Sequence, residues 1–253
     1  CPYCGNPAVA PGQLSGSFSP DLVIPFKLER KDALSALQEH YKGKILLPKS
    51  FISGNHIDEV QGVYVPFWLY GAHADGEVHF DAENHRVTEY PDRTVTTISH
   101  YDAYRKGNMS FERVPVDGST KMPDGHMDAI EPFDYSSLRP FSVAYMPGFI
   151  ANRYDEDSSV CRDRAEKRME GSLISAFRQT VSSYNTASLI SQNLDYDWED
   201  ADYALFPVWM LSTSWNGKNY LFAMNGQTGR MVGELPCSKP KLALATLIFF
   251  IVA

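Results

Sequence analysis

Cysteine is scarce in this chain, with four in 253 residues. They are too few and too scattered for a disulfide scaffold. Cys1 and Cys4 form a pair, while Cys161 and Cys237 stand alone, a pattern that suits a reducing compartment. Clustered basic charge is missing as well: 23 Lys and Arg face 31 Asp and Glu, giving a net charge of −8 and a pI near 5.3. Phosphate backbones need a basic face, so the charge argues against nucleic acid as the main partner. Nucleotide-loop and hydrolase signatures are absent. Gly43-Lys44 and Gly217-Lys218 lack both the earlier glycine and the hydroxyl residue of a phosphate-binding loop, and no Gly-x-Ser-x-Gly or His-Glu-x-x-His occurs. The chain is therefore expected to be non-enzymatic. Long apolar runs are lacking except at the end, where Leu242–Ala253 carries Thr246 as its one polar residue. A membrane-spanning helix needs ~20 apolar residues. The run stops where the chain stops, so residues 237–253 read as the start of a membrane anchor. Lys239 and Lys241 before it place the folded part on the cytoplasmic side. With Cys rather than Met at position 1, the sequence reads as a fragment cut at both ends.

What is abundant is aromatic: 14 Tyr, 14 Phe and 4 Trp favour a sheet-rich interior. Val63–Tyr70, with Pro66 and Trp68, recurs as Ala204–Leu211, with Pro207 and Trp209, at an offset of 141 residues. The same offset carries Asp75-Gly76 onto Asn216-Gly217, both preferred dipeptides for two-residue hairpin turns. Each copy thus reads as a Pro-x-Trp strand, a tight turn and a return strand. A helix precedes each copy. The first spans Lys31–Tyr41, stopped by Gly43; the second spans Asp155–Val181, with Cys161, Ala165, Met169, Leu173 and Phe177 at four-residue spacing. That stripe makes Cys161 a core residue. Lys218–Asn225, the turn Gly226–Gly229 and Arg230–Leu235 extend the second hairpin into a meander. Thr94–Tyr104 and Met109–Val116 read as strands joined at Lys106-Gly107-Asn108, and a short helix is expected near His126–Ile130. The expected fold is α+β: two repeat units of helix plus antiparallel hairpin or meander sheets, over residues 20–85 and 141–236 of a body spanning 14–236.

Three polar groupings invite chemical readings. Along one straight strand His73, Asp75, Glu77 and His79 would share a face and resemble a metal site. A turn at Asp75-Gly76 instead puts His73 and His79 on opposite faces, which argues against one. The stretch Asp195–Asp202 is acidic enough to suggest calcium but lacks the glycine and terminal Glu of an EF-hand loop, so it reads as a solvated loop. Cys1-Pro2-Tyr3-Cys4-Gly5 has a redox and a zinc reading. The prolines and glycines of residues 5–12 cannot continue as the helix a redox thiolate needs, which favours the knuckle of a zinc ribbon over residues 1–13. Cys1 and Cys4 would supply two of the four ligands, a half-site expected to hold zinc poorly.

Several blocks occur in one order: Cys1–Pro7, Val23–Leu28, His40–Lys44, Gly62–Trp68, Val114–Ser119, Glu131–Tyr135 and Trp215–Gly229. Together they resemble the bacterial TFIIB-type zinc-ribbon membrane proteins, many of which carry a label borrowed from the primosomal replication-restart helicase. The resemblance implies a four-cysteine zinc ribbon, an α+β body, a C-terminal anchor and a place at the bacterial inner membrane facing the cytoplasm. It implies no established activity. The resulting expectation is a membrane-tethered interaction or scaffold module with an unidentified protein partner. The alternatives are a replication-associated nucleic-acid factor and an enzyme whose site is assembled from scattered residues.

Overall fold

The computed structural model describes residues 19–54, 59–243 and 246. It divides into two compact units. Of the described residues, unit 1 comprises 19–54, 59–67, 117–157, 203–243 and 246, and unit 2 comprises 68–116 and 158–202. In chain order the elements are β1 (Leu22–Val23), α1 (Arg30–Tyr41), α2 (Lys49–Gly54), β2 (Glu59–Glu89), β3 (Thr94–Asp117), α3 (Asp124–Ala129), β4 (Arg139–Pro140), β5 (Ile150–Ala151), α4 (Ser158–Thr180), β6 (Thr186–Trp198), β7 (Asp202–Trp215), β8 (Lys218–Asn225) and β9 (Met231–Gly233).

In unit 1, β7 carries an unbroken buried run from Tyr203 to Leu211, as a strand covered on both faces does. It pairs in parallel with β1 (Val23 opposite Leu205) and antiparallel with β8. Trp215 faces Lys218 across Asn216-Gly217, whose φ values of 51° and 75° are the two positive angles that this two-residue turn demands. Helix α1 begins in a capping box in which Glu29 and Asp32 satisfy each other's backbone amides, and the chain turns away beyond it at Gly43, φ 72°. Its buried Ala33 and Leu37 join Phe51, Trp209, Leu211, Phe222 and Met224 in one core.

In unit 2, helix α4 lays Cys161, Ala165, Met169, Leu173 and Phe177 on one face, all buried. That stripe packs on Tyr70, Ala72, Ala74, Val78, Phe80 and Ala82, the inward positions of β2. Each large side chain so buried contributes about 1.5–3 kcal/mol.

The expected α+β arrangement of two helix-plus-hairpin repeats, with a half zinc ribbon and a membrane helix at its ends, is corrected by this structure. The strands form a nine-stranded mixed sheet, ordered β3-β2-β7-β1-β4 with β5 and β6 on β2, β8 on β7 and β9 on β8. Only the second of the two expected hairpin turns exists. Asp75-Gly76 lies inside β2, which pairs with β6 without a break from Ala72–Trp198 to His79–Ser191. Gly76 is needed for closeness, not for turning: a Cβ there would sit 2.9 Å from Phe177 and 3.0 Å from Leu194. Gly107, expected at another turn, likewise lies within β3, with Phe177 3.5 Å from the place its Cβ would take. The real β2–β3 turn is at Pro91-Asp92, closed by the Tyr90 amide donating to the Arg93 carbonyl at 2.8 Å.

The expected membrane anchor and inner-membrane location are corrected too. Among the described residues no helix is long and apolar enough to cross a membrane. Where the anchor was expected to leave the body, the Ser238 amide donates to the Leu46 carbonyl at 2.8 Å and Lys241 Nζ to the Leu47 carbonyl at 2.7 Å. That segment is docked on unit 1. The zinc ribbon finds no support either: no group of three or more His, Cys, Asp or Glu among the described residues is placed to hold a metal. Cys1 and Cys4, and most of 242–253, lie outside those residues.

Candidate functional site

Because β2 runs straight, its side chains alternate strictly. Inward go Ala74, Gly76, Val78, Phe80 and Ala82; outward go His73, Asp75, Glu77, His79, Asp81, Glu83 and His85. Every outward position from 73 to 85 is thus ionisable. On one flank β6 sets Asp197, Asp195, Asn193, Ser191, Ser188 and Thr186 opposite them. A bulge in β6 leaves Ile190 without a partner on β2 and 66% exposed. On the other flank β3 supplies the partners. Asp102 Oδ1 lies 3.1 Å from His79 Nδ1, Ser110 Oγ 3.1 Å from His73 Nδ1, and Lys106 pairs with Glu77. Glu83 holds two imidazoles, His85 Nε2 at 2.8 Å and His100 Nδ1 at 3.3 Å. The hydrogen bond and charge of Lys106 hold the Glu77 carboxyl below its ordinary range, and the bond from His85 does the same for Glu83.

Sequence reasoning placed His73 and His79 on opposite faces; the structure puts both outward, since the turn that would have separated them does not form. They still make no metal site. Same-face neighbours on one strand stand roughly 6.6 Å apart, and each histidine turns to a different residue of β3. The face is largely open to water, and carboxylates dominate it. It presents seven carboxylates (Asp75, Glu77, Asp81, Glu83, Asp102, Asp195 and Asp197) against the one lysine, Lys106. Two apolar side chains stand on the same side of β3: Ile98, 49% exposed, and Tyr104, 45% exposed with its ring 5.0 Å from His79.

A second concavity lies wholly in unit 1. It is an open cleft of ≈ 850 Å³ between the segment leading into α1, the start of β2 and the loop before β5. Phe26 stacks on Phe149 with ring centroids 4.1 Å apart, and Trp209 meets Phe26 edge-on at 5.2 Å. Gly62 allows this, since a Cβ there would stand 2.5 Å from the Phe149 ring. Trp209 Nε1 donates to the Leu28 carbonyl at 3.1 Å. Burial pushes the neighbouring Tyr64 phenol up to about 12, so it remains protonated. Lys27, Glu29 and Arg30 line the mouth, with Glu29 joined to Lys31 at 2.9 Å.

No family model matches the chain, and no solved structure matches it. It is 33% identical over 236 residues to the uncharacterized protein YdjG of Bacillus subtilis (strain 168), a match covering 93% of this chain and 69% of that protein. The chain belongs to the YdjG family.

In this YdjG-family chain the residues singled out from sequence are dispersed. Trp209 is buried at the base of the unit 1 cleft, while Trp68 is half-buried against the Cys161–Met169 stripe of unit 2. Pro66 and Pro207 each offer a strand carbonyl to a glycine amide, Gly118 at 3.0 Å and Gly226 at 2.8 Å. Cys161 is buried and Cys237 exposed, and neither is part of a disulfide. Asp195 and Asp197, expected in a loop, belong to strand β6. The Asn225–Arg230 turn is organised from within by Asn225. Its Oδ1 accepts from the Gln227 and Thr228 amides, and its Nδ2 donates to the Ile130 and Pro132 carbonyls. Sequence reasoning missed the cleft residues Phe26 and Phe149, which carry no motif. It also missed the outward ladder of β2, whose signal, an ionisable residue at every second position, was broken by assuming a turn in its middle.

Proposed function

We propose that this YdjG-family chain is a non-enzymatic interaction module that captures a cationic protein segment on the outer face of unit 2. One observation carries the reading: a three-stranded face with seven carboxylates against one lysine, rigidly backed by α4. Such a face attracts Lys/Arg-rich chains over several ångströms and repels phosphate backbones. Tyr104 and Ile98 give it the exposed apolar anchors around which binding energy concentrates. The partner's arginines would meet carboxylates held in register at strand spacing, where forked pairing is strong.

The test is titration of a labelled Lys/Arg-rich peptide against the protein and two variants of equal net charge. One variant carries Asp75→Asn, Glu77→Gln and Asp195→Asn on the face. The other carries Asp163→Asn, Glu166→Gln and Asp200→Asn away from it. The face variant is expected to bind ~10-fold or more weakly while the other stays near wild type, with affinity falling as salt rises. Equal losses in both variants would mean attraction to net charge alone. Salt-sensitive binding to single-stranded DNA, unaffected by either variant, would favour the replication-factor reading.

A further inference from the structure

The cleft of unit 1 differs in chemistry from the rest of this acidic chain. Its volume of ≈ 850 Å³ falls in the range of small-molecule sites, about 300–1,000 Å³. One side of its lining is aromatic, formed by the Phe26–Phe149 stack and, at the base, Trp209. The indole N–H of Trp209 is already bonded to Leu28, so the surface the wall offers a ligand is ring carbon.

The mouth is cationic. Lys27 and Arg30 are exposed and make no ion pair among the described residues, although the charge of Lys27 is felt by the Asp134 carboxyl. The acid between them, Glu29, is held by Lys31 and by the cap of α1. Two cations outside any ion pair among the described residues, beside an aromatic wall and in a molecule of net charge −8, form a place where an anion is welcome.

We infer that this cleft binds a small molecule with a planar apolar body and a single acidic group, a carboxylate, sulfonate or phosphate. The body lies against Phe149 and Trp209, and the acid bridges Lys27 and Arg30. Stacking supplies apolar contact, and the guanidinium supplies a forked pair that fixes orientation. The inference is independent of the acidic face of unit 2.

Two dyes with the same rings separate the parts of this claim. 8-Anilinonaphthalene-1-sulfonate carries the acid, and N-phenyl-1-naphthylamine lacks it. The sulfonate is expected to bind one per chain, saturably, with quenching of tryptophan emission that Trp209→Phe reduces. Lys27→Gln with Arg30→Gln is expected to weaken it ~10-fold or more and leave the neutral dye unchanged. Both substitutions are at exposed positions, so melting temperature should hold, and Asp163→Asn in unit 2 should change neither dye. Equal affinity of the two dyes, sulfonate binding that ignores the double substitution, or many weak sites in place of one would each overturn the inference.

Discussion

The clearest residue-scale lesson is that a glycine can serve nearness as well as turning. Gly76 has no positive φ; what it lacks is a Cβ that would press on Phe177, Leu173 and Leu194. Gly76→Val should therefore destabilise by about 1–3 kcal/mol through overpacking, measured by urea unfolding. Phe177→Leu in the same chain should recover part of the loss by opening the space the valine needs. A valine tolerated without cost would show that α4 does not seat on this position. The two tryptophans separate in the same way. Trp209→Ala removes a buried ring and the donor to Leu28 and should cost about 3–5 kcal/mol, whereas half-buried Trp68 should cost less.

One titratable residue gives pH a direct hold on unit 1. His126 in α3 is part-buried, its Nδ1 lacks a hydrogen-bond partner, and burial lowers its pKa from 6.5 against a weaker opposing pull from Glu234. Lowered in the fold, it stays neutral while the unfolded chain takes up a proton. Stability is then fully present above pH ~6.5 and is lost as pH falls from there through the folded value. His126→Gln should flatten the stability–pH curve across that window, read from denaturation midpoints. An unchanged slope would move the titration to another group.

At the scale of elements, the legible parts were those whose signals are local. Helix α4 announced itself through five apolar residues at four-residue spacing, and all five are buried. Helix α1 was bracketed by its period and by Gly43, and Asn216-Gly217 makes the turn its composition calls for. Illegible were the elements that depend on a distant partner. The 31 residues of β2 contain Asp-Gly, a strong hairpin signal, yet strand β6, more than a hundred residues later, pairs across it and α4 packs over its glycine. Local turn preference amounts to tenths of a kcal/mol to about one, and it gives way to a full ladder and a buried Phe177. That single override moved His73 and His79 to one face and assembled the acidic ladder. The cleft was illegible for a related reason: Phe26, Phe149 and Trp209 come together only through long-range pairing, including Val63 of β2 with Ile150 of β5.

For the molecule as a whole, the arrangement of charge is where stability and function part. A fold selected for stability alone would not set Asp75 directly opposite Asp195, since facing like charges on adjacent strands repel. One register step away, His73 faces Asp197, a pairing that attracts only when the imidazole is protonated. Net charge of −8 spread evenly would weigh little on any one region; concentrated on one sheet face it is a standing cost. If this face is the proposed binding surface, substitutions that relieve the cost should stabilise the protein and impair binding together. Asp75→Asn should therefore raise stability by roughly 0.2–0.5 kcal/mol at low salt and weaken capture of the cationic peptide. The gain should shrink toward zero as added salt screens the pair. Denaturation midpoints at low and high salt, set beside peptide affinity for the same protein, provide the measurement. A variant destabilised at low salt would show that Asp75 holds the strand in place, and the acidic face would then be architecture.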